Sequence, residues 1–377
     1  MLQRTLCFAL ALPFSLGLAL PARPDTIYLL DGKVLENVSI SADTLAGVTY
    51  KQKGAEQQLS ADQVERVEYQ RKPKQVQEAE VALGEDNIEG AIEDLELCRD
   101  GILAGNEKDK KAFPWAAEWA SNRVVELRRA NQDWAGTVAA ASLLIEQFTD
   151  SRNLPAAYLA KAEAEAALGK EDAALASLAG LAKLIGERSL SERWQLEHDV
   201  SQATIDKGLD ARARLTKLEK VQKAASAGGM AVLNRAELAM AEAYLSLADT
   251  EQARRDEHLA KAKGLLEGIN ARPAVEERVL AGTLMGMADA SFQVAAANKD
   301  KAALAAARLL YMRVVVLYRG QSRYVPKALF QAATISKQLF ELTQDPAEGE
   351  RQIKLATKLV SRYRGTSWAE DGKTLLR

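Results

Sequence analysis

The sequence predicts a mainly α-helical protein: an α-solenoid of helix hairpins preceded by a small five-stranded, barrel-like β unit. Three observations predict it. First, one helical junction is written three times, as LLIEQFTDSRNLPAAYL (143–159), VVVLYRGQSRYVPKALF (314–330) and KLVSRYRGTSWAEDG (358–372). Each copy places an aliphatic pair before an aromatic (Phe148, Tyr318, Tyr363) and a serine three or four residues later (Ser151, Ser322, Ser367). The first two continue through Pro155 and Pro326 into alanine-rich helix. Self-similarity of this kind marks stacked helical repeats. Second, aromatics make up only 6% of the chain and alanine is abundant, which suits helices that approach closely. Third, residues 25–70 have a different texture, with short alternating apolar runs separated by glycine turns.

The elements follow in order. Residues 1–22 read as a secretory signal: Arg4 precedes the apolar run Leu6–Leu20, and small residues at Ala19 and Ala22 offer cleavage sites. The run is shorter than the roughly 20 residues of a membrane span, and Pro13 interrupts it. Cys7 lies within the run and not after small residues at its end, so the pattern is not that of a lipidation site. The expected product is exported, periplasmic or extracellular, and soluble after cleavage. It retains one cysteine, Cys98, which cannot form an internal disulfide.

Five strands are expected within 25–70. They are Ile27–Leu30, Val34–Ser41, Leu45–Lys51, Gln57–Ser60 and Val64–Tyr69, with turns at Asp31-Gly32 and Gly54. Residues 71–75 form the link, broken by Pro73. From there, 75–377 reads as helix pairs near 75–104, 112–148, 155–186, 189–226, 230–269, 274–319 and 324–364, with a short cap near 367–376. Gly84, Gly101 to Gly105, Pro114, Asn153 to Pro155, Gly169, Gly186, Gly228-Gly229, Pro273, Gly320 and Pro346 mark the expected breaks.

Several pairs resemble tetratricopeptide repeats. Ala91, Leu95 and Cys98 fit the small-large-small spacing of that family's second helix, Ala174, Leu178 and Leu181 fit it less closely, and Met240, Ala241 and Tyr244 fit positions of its first helix. Thr149, Arg319 and Arg364 stand where the family places proline. Four helix pairs fill the stretch from Phe148 to Tyr318, giving a period of about 42 residues that approaches HEAT-like repeats. The β unit, with its early L-x-D-G and final V-x-R-V-E-Y, resembles SH3-like or Sm-like barrels. A signal followed by such repeats resembles Gram-negative envelope scaffolds, such as the Tol-Pal coordinator and outer-membrane assembly proteins. The resemblance implies a non-catalytic adaptor that holds proteins or peptides in a concave groove; the alternatives are a structural envelope component that self-assembles through the β unit, and an enzyme with its site between repeats, against which the absence of catalytic motifs argues.

Charge is uneven. Residues 301–377 carry 14 Lys and Arg against 6 Asp and Glu, net +8, while residues 23–300 carry 35 against 46, net −11. Such asymmetry either guides an acidic partner to one end or is a solvated surface. The candidate partner-binding residues are Arg319 and Arg364 with the preceding Tyr318 and Tyr363, and the one-turn pair Trp115 and Trp119. The arginines suit carboxylates or anionic headgroups of an envelope membrane, or else simply end their helices. The tryptophans are either core or an aromatic anchor for a peptide. His198 and His258 lie on polar stretches without a histidine one turn away, so they read as surface residues and not as zinc ligands. No nucleotide-binding, hydrolase or metalloprotease motif occurs, so neither cofactor nor catalytic residue is expected. Export and the lack of a basic face on the β unit argue against nucleic acid.

Overall fold

The computed structural model describes residues 24–105, 107–225, 229–321, 323–364 and 366–376. The expected signal (1–22), Gly228 and Ser322 lie outside the described residues. Five strands come first: β1 (Asp25–Leu29), β2 (Val34–Thr44), β3 (Gly47–Gln52), β4 (Ala55–Leu59) and β5 (Val64–Glu68). They form one antiparallel sheet in the order β4-β3-β2-β1-β5. The long β2 serves two neighbours, pairing with β1 through Val34, Leu35 and Val38 and with β3 from Ser39 onward. Its register against β3 slips between Ile40 and Ala42, just after the strand changes partner.

The sheet is not closed into the expected barrel. β4 and β5 remain edges, joined by the 3-10 turn Ala61–Gln63. The reason is chemical. β4 reads AEQQL, exposed along almost its whole length, and offers no apolar face to close on β5. The inward residues of β5, Val64 and Val67, join Ile27, Val38, Val48, Tyr50 and Tyr69 in a core that continues onto Trp115 and Trp119 of the helical array. Helix therefore takes the place of the closing strand. At the start of β3, Gly47 has φ +142°, and a Cβ there would sit 2.0 Å from the Leu59 carbonyl oxygen, so only glycine lets β3 start against the end of β4.

Helices fill the rest, in seven hairpins. They are α1 (Lys74–Gly84) with α2 (Ile88–Leu103), α4 (Ala116–Ala130) with α5 (Trp134–Gln147), α6 (Leu154–Ala167) with α7 (Glu171–Arg188), and α8 (Glu192–Ile205) with α9 (Ala211–Ala225). There follow α10 (Met230–Thr250) with α11 (Arg255–Asn270), α12 (Glu277–Asn298) with α13 (Lys301–Leu317), and α14 (Val325–Thr343) with α15 (Pro346–Arg362). The short α3 (Glu107–Ala112) bridges the first two hairpins, and α16 (Ser367–Gly372) ends the stack. Gly101 and Gly186 do not break helices: α2 and α7 run through them. Among the described residues α12 alone is long and apolar enough to cross a membrane, and half of that stretch is buried among α10, α11 and α13.

Two turn designs alternate along the array. Within five hairpins, a residue with positive φ precedes the cap of the second helix: Asp86, Gln132, Gly169, Lys299 and Gln344. In four of them the next residue is Asn or Asp (Asn87, Asp133, Asp300, Asp345), and its side chain accepts a backbone N–H of the new helix. Each cap contributes about 1 kcal/mol. Gly136 is required by one of them, because a Cβ would meet the Asp133 carboxylate at 2.0 Å.

The second design is the repeated junction between hairpins. Phe148, Tyr318 and Tyr363 close α5, α13 and α15 with nearly the same backbone: φ −122°, −121° and −117°, ψ 65°, 48° and 38°. In each, the aromatic residue's carbonyl accepts the N–H of the residue three ahead, from Ser151, Gln321 or Thr366, at 2.9–3.2 Å. That residue's own carbonyl then accepts the N–H three further on, from Leu154, Tyr324 or Ala369. The structural equivalent of Ser151 is thus Gln321 and Thr366, one position before the serines that the sequence suggested.

The first helices of successive hairpins, α4, α6, α8, α10 and α12, lie against one another. Small residues permit this approach, with Ala160, Ala162, Ala164, Ala203, Ala236, Ala241, Ala243, Ala281 and Gly282 buried along the seam. The tetratricopeptide-like positions Ala91, Leu95, Cys98, Ala174, Leu178, Leu181, Met240 and Ala241 are all buried. His198 and His258 are buried too, contrary to their polar surroundings in sequence. His198 Nδ1 lies 2.8 Å from Asp199, and His258 Nε2 lies 3.0 Å from Glu251. Asp199 and Glu251 thus each supply one partner to a buried ring, while His258 Nδ1 has none among the described residues.

Candidate functional site

A cavity of about 530 Å³ lies where the sheet meets the first hairpins. One face of α4 supplies Trp115, Glu118, Trp119 and Asn122, spaced i, i+3, i+4 and i+7 so that all line the same wall. The opposite wall comes from β2 and β5, and Leu83 and Leu95 of α1 and α2 close the floor.

Three long-range contacts hold these walls together. The Tyr69 ring stacks on Trp115 with centroids 3.9 Å apart and planes within 6°, and Trp119 stands at 90° to Trp115 at 5.9 Å. Such aromatic pairs contribute about 0.5–1.5 kcal/mol beyond the area they bury. The Leu45 N–H donates to the Asp150 carbonyl at 2.7 Å. Arg152 donates Nε to Asp43 at 2.7 Å, with side chains only 10% and 15% exposed. Removing one partner of a pair this buried costs about 3–5 kcal/mol, because a charge is left behind. The first copy of the repeated junction thus does more than join hairpins: Asp150 and Arg152 grip the sheet, and Ser151 donates its hydroxyl to Glu118.

Glu118 is the unusual group of the cleft. Burial pushes its carboxyl up to about 7, and Asp43 and Asp150 add to the rise against the opposing Ser151 hydrogen bond and Arg152 charge. Burial also pushes the Tyr69 hydroxyl well above its ordinary range, with Asp43 and Glu118 adding to it. The cations of the cleft are already engaged: Lys72 with Glu80, Arg66 with Glu68, Arg123 with Glu126 and Arg152 with Asp43.

The stack curves tightly enough for distant hairpins to meet. Glu163 of α6 pairs with Arg129 of α4 and with Arg278 of α12. Burial alone would raise the Glu163 carboxyl, but the two guanidiniums outweigh it and hold it at about 2. The Gln132 side-chain amide donates to the Gly320 carbonyl, so the turn before α5 touches the junction after α13. The inner face that the sequence reading left open as a groove is therefore bridged by charge at this level.

The candidate residues fall in two places. Trp115 and Trp119 share the cleft and also anchor the chain's own sheet. Tyr318 and Tyr363 are half-buried against the C-terminal core, as is Trp368. Arg319 and Arg364 are exposed, and neither has an ion-pair partner among the described residues. Beside Arg319, α13 turns an apolar row to solvent, with Leu309 63%, Val316 52% and Leu317 62% exposed around the exposed Arg313. Sequence reasoning missed Glu118, which its position beside Trp119 in W-x-x-E-W could have revealed. It also missed Tyr69, Asp43 and Arg152, which no local pattern connects. Among the described residues, no group of three or more His, Cys, Asp and Glu side chains is placed to hold a metal ion.

No protein-family model matches the chain, and no curated protein matches it. Five chains of solved structures do match. One belongs to a structure described as "The hypoxic regulator of sterol synthesis Nro1 is a nuclear import adaptor". The match has 15% identity and a TM-score of 0.21, and covers 80% of this chain and 90% of that one. At that score it adds nothing to the fold described above.

Glu118 makes stability depend on pH. Its folded carboxyl holds a proton up to about pH 7, against an ordinary value of 4.5. The folded state therefore binds more protons than the unfolded state between these values, so this group's contribution to stability falls as pH rises through them. Glu118→Gln is expected to match the wild type in urea denaturation near pH 4.5 and to exceed it above about pH 7. Equal midpoints for the two proteins at every pH would show that the carboxyl is not desolvated.

Proposed function

We propose that the chain is a non-catalytic protein-binding scaffold of a bacterial envelope. The single observation that carries the reading is the outward face of α13 and the junction after it. There an apolar row, Leu309, Val316 and Leu317, lies open beside Arg313 and Arg319, which have no ion-pair partner among the described residues. The helix Lys301–Leu317 contains no acidic residue. Monomeric proteins seldom leave contiguous apolar surface open without a use for it. Apolar side chains ringed by arginine suit a partner that offers acidic and apolar groups together. Arg364 carries the same positive charge after the matching junction of the next hairpin. A stack of hairpins whose neighbours fix one another gives such surfaces a rigid frame.

Charge reversal tests the partner end. Arg319→Glu with Arg364→Glu is expected to leave helicity unchanged by circular dichroism and to weaken capture of an acidic partner from envelope extract. The loss should be greatest at low salt, where exposed charges act over the longest range. A folded double variant that captures as the wild type does would remove the C-terminal end from the reading.

Export is part of the same proposal and rests on Arg4, the Leu6–Leu20 run and the small residues after it. N-terminal sequencing of the protein from a periplasmic fraction is expected to begin near Leu20 or Arg23. Recovery only in membranes with Met1 intact would refute it.

A further inference from the structure

We propose that the cleft between the sheet and α4 binds the cationic side chain, lysine or arginine, of a basic peptide segment of a second partner. The inference rests on the scaffold reading but concerns the opposite end of the chain from the arginine-rich face. Three observations carry it.

The first is shape. A cavity of about 530 Å³ is open between β2, β5 and the first helices, and holds several peptide side chains. The second is its walls. Trp115 and Trp119 stand perpendicular, 5.9 Å apart, and both line the cavity. Tryptophan is the strongest aromatic partner for a cation, and an ammonium or guanidinium within about 6 Å of the ring is attracted by its electron-rich face. No cation of this chain is stacked on either indole among the described residues. The third is charge. Every cation in the lining is matched to a carboxylate, but two lining carboxylates, Glu118 beside the indoles and the exposed Glu65, have no ion-pair partner among the described residues. An arriving anion would find no free positive charge in the lining. An arriving cation would find, on the same wall as two indoles, a carboxylate held by the Ser151 hydroxyl but by no ion pair.

Binding of a cation should also pull the proton off Glu118. The groups facing that carboxyl are Asp43 from β2, Tyr69 after β5, and Asp150, Ser151 and Arg152 from the junction, with Arg123 and Glu126 further along α4. Asp43 and Arg152 are paired with each other, so the change in charge falls on Glu118. Because the free carboxyl titrates at about 7, affinity should rise with pH across neutrality.

The test is a titration of the full chain with acetylated and amidated Gly-Lys-Gly and Gly-Arg-Gly, read by tryptophan fluorescence and by NMR. The neutral norleucine tripeptide and choline serve as comparisons. The expected result is saturable binding of both cationic tripeptides, about tenfold tighter than norleucine and about tenfold weaker at pH 6 than at pH 8. Glu118→Gln should fold, lose the preference for lysine over norleucine and flatten the pH profile. Trp119→Phe should fold and weaken both cationic peptides. The proposal is overturned if no saturable binding occurs up to about 10 mM, if norleucine binds equally well, or if Glu118→Gln binds as the wild type does. Choline binding as tightly as the peptides would overturn the peptide assignment in favour of a small free cation. Because these probes do not touch Arg319 or Arg364, failure here with acidic-partner capture intact removes the cleft site alone.

Discussion

A helix hairpin of this composition cannot bury both of its apolar faces by itself, and the rest of the structure follows from that constraint. Each pair needs a neighbour at a fixed distance and angle. The spacing comes from alanine and glycine where first helices touch. A Cβ on Gly282 of α12 would come within 2.6 Å of Leu238 on α10. After α5, α13 and α15 the angle comes from the repeated junction, where an aromatic residue ends one helix at φ near −120° and a hydrogen bond three residues long turns the chain into the next. The aromatic ring packs into the core it has just closed, so backbone geometry and burial are set by the same side chain.

A stack also has ends, and an uncovered end leaves apolar surface in water. At the C-terminus α16 and its 3-10 extension cover α15, with Gly372 close against Leu359 and the Gln352 amide donating to the Leu375 carbonyl. The start is handled differently. The open sheet places its core residues on Trp115 and Trp119, and the first junction clamps it through Asp150 and Arg152. A curved sheet on a helix face does not fill space as another hairpin would, and the cleft is the volume left over. The polar groups that hold the sheet, among them Asp43, Arg152 and Glu118, then become the lining of that cleft. The end cap and the candidate site are one construction.

Much of this was legible in the chain. The seven hairpins, five strands and repeated aromatic junction could be read because each is written in local periodicity and cap chemistry. The closed barrel could not be refused from sequence, since the polarity of β4 matters only once β5 is seen to face α4. The burial of His198 and His258 was hidden because their acidic neighbours look like a solvated surface until the next hairpin covers them. The contacts that shape the site span 109 residues from Asp43 to Arg152, 115 from Glu163 to Arg278 and 188 from Gln132 to Gly320. No local pattern encodes such distances. The last two arise from the curvature of the stack, which is the sum of many small packing angles, and the first from the docking of the sheet on the first junction.

The claim at the centre of this account is that the sheet and the first helices form one cooperative unit joined at Tyr69, Trp115 and the Asp43–Arg152 pair. Hydrogen exchange of the intact chain, wild type against Tyr69→Ala, measures it directly. The account predicts that amides of β1, β2, β5 and α4 lose protection together in the variant, while α10 to α15 keep theirs. Loss confined to the residues around position 69, with the rest of the sheet and α4 protected as before, would contradict it.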